Sequence, residues 1–93
     1  MKLQYSQDVL EDLERLRAFI AAHNPTAANR ISYRLIEGVQ ALKRHPGLGH
    51  SVQKAPDPES IRDLVLGDYI VRYLILAERV VVLRIWHHRE QER

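Results

Sequence analysis

The sequence predicts an α+β fold in which two helices cover one face of a mostly antiparallel sheet, in the order β-α-α-β-β-β. Two observations predict it. The stretch 61–89 is rich in Val, Ile, Leu and Tyr and has two short polar breaks, which is typical of a three-stranded meander. The stretch 8–44 carries apolar residues at spacings of three and four, which is typical of amphipathic helices.

The composition limits the size and the chemistry of the protein. Its 93 residues, 45% of them hydrophobic, fit one folded domain spanning 1–93. There is no Cys, which excludes disulfides and thiol catalysis and fits a reducing compartment. No signal-peptide core and no apolar run of membrane length is present, so we expect a cytoplasmic protein without membrane contact. The net charge of +2 permits a nucleic-acid or acidic-protein partner but does not require one.

The first strand and the first helix follow from local pattern. Lys2 to Tyr5 is a short β-capable opening, and a helix is predicted from Asp8 to His23. Its inner stripe consists of residues spaced three and four apart, namely Val9, Leu13, Leu16 and Ile20. The charged residues of this helix, including Asp12 and Arg15, are placed on its other faces.

The second helix is predicted from Pro25 to about Arg44. Asn24 suits the capping position and Pro25 suits the first helical turn. The inner stripe is Ala28, Ile31, Leu35, Val39 and Leu42. Because the link between the helices is so short, they are expected to form an antiparallel hairpin. The segment 45–50, HPGLGH, ends the second helix, and a loop or an irregular sheet edge follows over 51–60.

The meander is predicted to contain strands from Ile61 to Leu66, from Tyr69 to Leu76 and from Val80 to His87. If the second break comprises residues 77–79, Arg72 lies opposite Arg84 on the face away from the helices. A two-residue turn instead shifts the register by one and separates these arginines. We prefer the three-residue break because it stacks two apolar sets against the helices: Val71, Tyr73 and Ile75 on one strand, and Val81, Leu83 and Ile85 on the other.

Three segments resemble the RelE/ParE superfamily of type II toxin–antitoxin toxins. They are DLERLRAFIAAHNPTAANRI at 12–31, RHPGLGH at 44–50 and LVLGDYIVRYLILAERVVVLRIWHHR at 64–89. Together they cover nearly the whole chain in the family's order. The Asn-Pro link, the Pro-x-Leu-Gly turn and the strand ending in Trp-His are most similar to the ParE branch, also called plasmid stabilisation proteins. The resemblance implies a RelE/ParE-like fold.

The resemblance also implies a growth-arresting toxin that its cognate antitoxin neutralises in a hetero-oligomer. In the ParE branch the implied target is DNA gyrase, and in the RelE branch it is messenger RNA on the ribosome. We predict a ParE-like gyrase inhibitor that needs no cofactor or metal. The alternatives are a ribosome-dependent mRNA endonuclease and a degenerate toxin that retains only antitoxin binding.

The nuclease alternative depends on a cluster of cations and a general acid or base around one phosphate. In this sequence the resemblance casts four residues in those roles: Arg62, Arg72, Arg84 and His87. Two departures weaken the alternative. Ile70 stands three positions before Tyr73, where many active nucleases of the family carry arginine, and no tyrosine follows the His-His pair. Whether the protein is an enzyme stays open, with the sequence favouring a non-enzymatic toxin.

The residues predicted to bind the target or the antitoxin lie near the end of the meander: Arg72, Arg84, Trp86, His87, His88 and Arg89. Trp86 is expected on the exposed sheet face, where an aromatic ring beside arginine favours a protein interface. In a structural interpretation, the two strand arginines instead pair with Asp63, Asp68 or Glu78. His87 and His88 are neighbours on a strand and are expected to point to opposite faces, so no shared metal is predicted.

Overall fold

The computed structural model describes residues 1–57 and 59–90, and it confirms the predicted α+β architecture of two helices on a mostly antiparallel sheet. The elements are β1 (Lys2–Tyr5), α1 (Gln7–His23), α2 (Ala28–Gln40), β2 (His50–Ser51), β3 (Ile61–Leu66), β4 (Tyr69–Ile75) and β5 (Arg79–His87). Two short 3-10 helices, Ala41–Lys43 and Pro46–Leu48, lie between α2 and β2. Among the described residues, no helix has the length and apolar character needed to span a membrane.

The five strands form one sheet in the order β1-β5-β4-β3-β2. β1 runs parallel to β5, and the other neighbouring strands are antiparallel. β2 lies partly in the segment predicted as a loop or an irregular sheet edge, where His50 pairs with Asp63 and Ser51 with Arg62. The chain between β1 and β5 contains both helices and the three other strands, so it is long enough for the crossover that a parallel pair requires.

α1 begins directly after β1, with Ser6 as its N-cap. The Ser6 hydroxyl oxygen accepts a hydrogen bond from the Val9 amide at 3.1 Å and donates its own proton to the Leu83 carbonyl at 2.8 Å. One side chain therefore fixes both the helix start and its position on β5. The inner stripe of α1 is buried as predicted at Val9, Leu16 and Ile20.

α2 is shorter than predicted at both ends. Residues 25–27 form a turn in which the Ala27 amide donates to the side chain of Asn24 at 3.2 Å, and α2 begins only at Ala28. After Gln40 the chain tightens into a 3-10 turn. The predicted stripe nevertheless holds, since Leu35 and Val39 in α2 and Leu42 in the 3-10 turn are all buried.

The register of β4 and β5 places Arg72 opposite Arg84, as predicted, but for a different reason. The connection is the two-residue form, in which the Leu76 amide donates to the Arg79 carbonyl at 2.9 Å. A bulge between Arg72 and Tyr73 then shifts the pairing by one residue, from Tyr73 opposite Val82 to Arg72 opposite Arg84. The bulge restores the register that the turn alone would have lost.

The bulge also changes which β5 residues face the helices. Val80, Val82 and Ile85 are almost fully buried and belong to the hydrophobic core, whereas Val81 and Leu83 are only partly buried. The prediction that Val81 and Leu83 line the core with Ile85 is therefore wrong. The extra residue in the bulge moves the first half of β5 out of phase with the second half.

Tyr73 holds the turn that precedes β2. Its side chain is fully buried, and its hydroxyl accepts a hydrogen bond from the Gly49 amide at 2.8 Å and donates to the Pro46 carbonyl. A Cβ at Gly49 would stand 2.8 Å from the Asp63 carbonyl oxygen and 2.9 Å from the Tyr73 ring. The Pro-x-Leu-Gly turn therefore needs glycine because of this close approach to β3 and β4.

Candidate functional site

The structure divides the predicted site residues between two sides of the sheet. Arg72 alternates with the buried Val71 and Tyr73 of β4, so it lies on the face away from the helices. His87 instead lies on the helix-covered side, where its ring is 5.4 Å from that of Phe19 on α1 and 5.1 Å from that of Tyr69. The sheet thus separates His87 from Arg72, two residues that the nuclease alternative would place around one phosphate.

On the open face, Asp63, Arg72 and Trp86 form a row across β3, β4 and β5. Arg72 donates to both carboxylate oxygens of Asp63, at 2.9 and 3.0 Å. The same guanidinium carbon lies 5.2 Å from the centroid of the Trp86 ring. This is the Asp63 pairing that the structural interpretation of the sequence named. The row fixes the orientation of Arg72 by a two-point ion pair and a cation–π contact.

Trp86 is buried, with only 5% of its surface exposed, although it lies on the open face. Trp86 thus lies on the predicted face of the sheet, but its ring is covered instead of being open to solvent. Its cross-strand neighbour is Ile70, and the Arg72 guanidinium lies over the ring. Strand alternation predicts the face on which a side chain lies, but it could not predict that the Arg72 side chain would cover this ring.

Arg84 turns toward the edge of β5 and pairs with Asp12 of α1. Its Nε and one terminal nitrogen donate to the two carboxylate oxygens at 2.8 and 2.9 Å. Asp12 also accepts from Arg15 at 2.6 Å and from the backbone amide of Ile85 at 2.9 Å. The placement of Asp12 on a polar face of α1 is wrong, because this carboxylate is 1% exposed.

The electrostatics of Asp12 follow from these contacts. Burial alone would raise the pKa of this carboxyl group, but the hydrogen bonds from Arg84, Arg15 and the Ile85 amide outweigh it. They lower the pKa from 3.8 to about 2. The ionised carboxylate is thus the form that the fold stabilises.

Beyond the end of β1, Ser6 and the side chains of α1 form hydrogen bonds with the edge of β5. The last pair of β1 with β5 is Tyr5 with Val82, and beyond it the backbone of β5 would have no strand partner on that side. Ser6 bonds the Leu83 carbonyl, Asp12 the Ile85 amide and Arg15 the Ile85 carbonyl. These side chains supply the hydrogen bonds that a longer β1 would have made.

Arg62, the fourth nuclease candidate, is also held by internal contacts. It donates to the Gly49 carbonyl at 2.8 Å and to the Glu59 carboxylate at 3.0 Å. Each candidate arginine therefore has a partner of opposite charge: Glu59 for Arg62, Asp63 for Arg72 and Asp12 for Arg84.

The other predicted contact residues, His87, His88 and Arg89, line a cleft of about 710 Å³ between the helices and the β3–β4 turn. Further cleft residues are Phe19, His23, Asn24, Arg34 and Asp68. Burial lowers the pKa of His87 and the neighbouring His88 lowers it further, so the buried imidazole favours its neutral form. His88 and Arg89 are exposed.

His87 and His88 do not point to opposite faces. β5 ends at His87, so His88 is no longer bound to strand alternation, and the two ring centroids are 4.6 Å apart. Asp68 joins them, since one ligand atom from each of the three side chains lies within 4.8 Å of the others. The prediction that the two side chains point to opposite faces is therefore wrong. That prediction was the reason for expecting no shared metal.

A second concave surface, which we call the helix groove, lies between α1 and α2 and has a volume of about 290 Å³. Most of its lining is apolar: Tyr5, Leu10, Leu13, Leu16, Ile20, Leu35, Ile36, Val39 and Ile85, with Arg17 and Ser32. Leu10 is 46% exposed and Ile36 is 57% exposed. Apolar residues this open on two adjacent helices are typical of an interaction surface. Helical periodicity does not predict the groove, because apolar residues at this spacing are expected to pack in the core.

Known proteins are similar to this chain in sequence and in fold. Residues 3–92 match the family described as ParE toxin of type II toxin-antitoxin system, parDE. The chain belongs to this family. It is thus a type II toxin of the RelE/ParE superfamily, as the sequence motifs predicted, and the family implies an antitoxin as its partner.

Individual relatives agree with this family. The chain is 34% identical to Toxin RelE1 of Caulobacter vibrioides over 80 residues, covering 86% of this chain and 85% of the relative. It is 30% identical to Putative toxin Y4kP of Sinorhizobium fredii over 92 residues, covering 97% of this chain and 91% of the relative. The solved chromosomal ParDE TA system from P. aeruginosa shares the fold, with a TM-score of 0.77, 20% identity and coverage of 94% and 95% of the two chains.

Proposed function

We propose that this ParE-family toxin acts in the cytoplasm by binding DNA gyrase, and that its antitoxin neutralises it in a hetero-oligomer. The observation that carries the proposal is the separation of the nuclease candidates. His87 lies on the helix side of the sheet, whereas Arg72 lies on the open face beside Trp86. A general acid or base and the cations that stabilise a pentavalent phosphate must converge on one substrate group. These residues converge on no common point.

The ion pairs support the same function. Arg84 directs two donor nitrogens at the buried Asp12, and Arg72 directs two at Asp63. To clamp a phosphate, Arg84 would have to leave the buried Asp12 carboxylate, which would then keep only Arg15 and the Ile85 amide as donors, at a cost in free energy. The arginines therefore fit a role in holding the sheet and α1 together better than a role in phosphoryl chemistry.

Target contact is assigned to the exposed residues that directly follow β5. Of the six residues predicted to bind a partner, His88 and Arg89 are the exposed ones, whereas Trp86 and His87 are buried. Arg89→Ala is expected to reduce growth arrest while the domain stays folded. Arg30→Ala is the matched control, because Arg30 is an exposed arginine on α2, outside the cleft.

The antitoxin is assigned to the helix groove. An amphipathic segment of the antitoxin would cover the exposed Leu10 and Ile36, in the way that helices dock into apolar grooves. Leu10→Asp and Ile36→Asp should each weaken antitoxin binding and leave growth arrest intact, because the target contact lies elsewhere. Leu48→Asp is the control, since Leu48 is 51% exposed and lies outside the groove. Unchanged antitoxin affinity in both groove variants would contradict this assignment.

The alternative is a ribosome-dependent mRNA endonuclease, and two observations favour it. One relative bears the name Toxin RelE1. The cleft brings His87 and His88 together with Arg34 and Arg89, which suits an anionic ligand. In this alternative the cleft would be the active site, and His87 would be its general acid or base.

Induction of the toxin without its antitoxin separates the two functions. Thymidine and methionine incorporation are followed in parallel after induction. Gyrase inhibition predicts that DNA synthesis falls first while translation continues. Translation that stops within minutes, before DNA synthesis, would support the nuclease. No arrest of either process would indicate a degenerate toxin that retains antitoxin binding.

A further inference from the structure

Three side chains with metal-binding atoms meet at one end of the sheet. Asp68 lies in the turn between β3 and β4, next to Gly67, whose φ of 61° lets the chain reverse in this tight turn. His87 ends β5 and pairs with Tyr69, the first residue of β4. One ligand atom each from Asp68, His87 and His88 lies within 4.8 Å of the other two.

Backbone contacts hold these residues in place. The His88 amide donates to the Asp68 carbonyl at 2.8 Å, which ties the turn to the residue after β5. The His87 ring packs against the rings of Phe19 and Tyr69 and is 8% exposed. The other two ligand residues, His88 and Asp68, are exposed to solvent. One ligand is therefore fixed by the core, and two can adjust around an incoming ion.

The ligand types indicate the class of ion. Two imidazoles and one carboxylate suit divalent ions such as Zn²⁺, Cu²⁺ and Ni²⁺, whereas Mg²⁺ and Ca²⁺ prefer oxygen ligands alone. The cleft opens to solvent at this point, so water can complete the coordination. We infer that Asp68, His87 and His88 form a site for one divalent transition-metal ion of this class.

A hydrogen bond at the site provides an internal reporter. The Arg89 amide donates to Nδ1 of His87 at 3.1 Å. A neutral imidazole bound to a metal through Nε2 carries its proton on Nδ1, and one bound through Nδ1 has no lone pair left there. In both cases the Arg89 amide loses its acceptor. Metal binding is therefore expected to shift the amide resonance of Arg89.

The test is a titration of the metal-free chain with Zn²⁺, followed by calorimetry and by amide NMR spectra. The expected result is one ion per chain, a shifted Arg89 amide and a higher melting temperature that a chelator reverses. With Cu²⁺, the electron paramagnetic resonance spectrum is expected to show nitrogen ligands. His88→Ala and Asp68→Asn should each lower the metal affinity by more than about tenfold. Substitution of residues that only orient metal ligands commonly costs that much, and these two residues are ligands themselves.

The control variants are His45→Ala and His50→Ala, which remove exposed histidines outside the cluster. They are expected to bind the ion as the wild type does. His88→Ala is expected to fold, because the His88 side chain is half exposed, and circular dichroism checks this. An affinity no tighter than about millimolar would overturn the inference. So would binding that is unchanged in both ligand variants, or binding that leaves the Arg89 amide unshifted.

Discussion

Asp12 of α1 and Arg84 of β5 form a two-point ion pair, at 2.8 and 2.9 Å, around a carboxylate that is 1% exposed. The pair joins the first helix to the strand that carries three of the predicted site residues, Arg84, Trp86 and His87. Because Asp12 also accepts the Ile85 amide, it takes the place of a neighbouring strand at this edge of the sheet. An arginine that the sequence suggests for target binding thus serves the fold.

The first prediction concerns this pair. Arg84→Ala should lower the free energy of unfolding by about 3 kcal/mol, because it leaves a buried carboxylate short of a partner. Chemical denaturation of Arg84→Ala, Asp12→Ala and the double variant measures the coupling between the two residues. Arg30→Ala, an exposed arginine on α2, should unfold as the wild type does. Strictly additive effects of the two single changes would contradict the assigned pair.

The second prediction is a pH dependence. The folded-state pKa of Asp12 is about 2, below the ordinary 3.8, so its contacts stabilise the fold fully above the ordinary pKa and are lost as the pH falls through about 2. The difference in unfolding free energy between wild type and Asp12→Asn should therefore shrink by about 2 kcal/mol from pH 5 to pH 2. Denaturant titrations at several pH values measure it. A constant difference would mean that Asp12 is not ionised in these contacts.

The third prediction concerns the turn before β2. Tyr73→Phe removes the acceptor of the Gly49 amide and should cost about 1–3 kcal/mol, since a buried donor is left without a partner. Tyr5→Phe is the matched control, because Tyr5 is 39% exposed. Thermal or chemical unfolding measures both. Equal stability of Tyr73→Phe and wild type would show that the turn does not depend on this hydroxyl.

The fourth prediction concerns the core under α2. Leu35 is 6% exposed and packs in the main hydrophobic cluster. Leu35→Ala should destabilise the chain by about 2–5 kcal/mol, as truncation of a core leucine commonly does. Leu48→Ala, at a position 51% exposed, is the control. A melting temperature of Leu35→Ala equal to that of the wild type would contradict the packing of this helix.

Periodicity predicted the elements of this fold because the core stripes of α1 and α2 dominate their sequences. The burial of Asp12 was not predicted in this way, because acidic residues in an amphipathic helix are expected on its solvent-exposed faces. A signal was nevertheless present: Asp12 stands three residues after Val9 and four before Leu16, on the buried stripe itself. A charged residue in that position predicts a buried partner, but the identity of Arg84 requires the fold.

The register of β4 and β5 shows another limit of sequence reasoning. Arg72 lies opposite Arg84 because a two-residue turn and a bulge compensate each other. The sequence does not predict the bulge, because Leu83 and Arg84 are ordinary strand residues and no glycine stands there. The meeting of Asp68 with His88 depends likewise on how the strand ends align, which alternation within one strand cannot provide.

The most direct test of the proposed function is gyrase supercoiling with purified components. The toxin is titrated into a reaction of gyrase with relaxed plasmid, with and without its antitoxin, and ribosome-bound mRNA is incubated with the same toxin preparation. We expect loss of supercoiling as the toxin concentration approaches that of gyrase, recovery of supercoiling when antitoxin is added, and intact mRNA. Full supercoiling at a large excess of toxin, with cleavage of the mRNA, would contradict the proposed function.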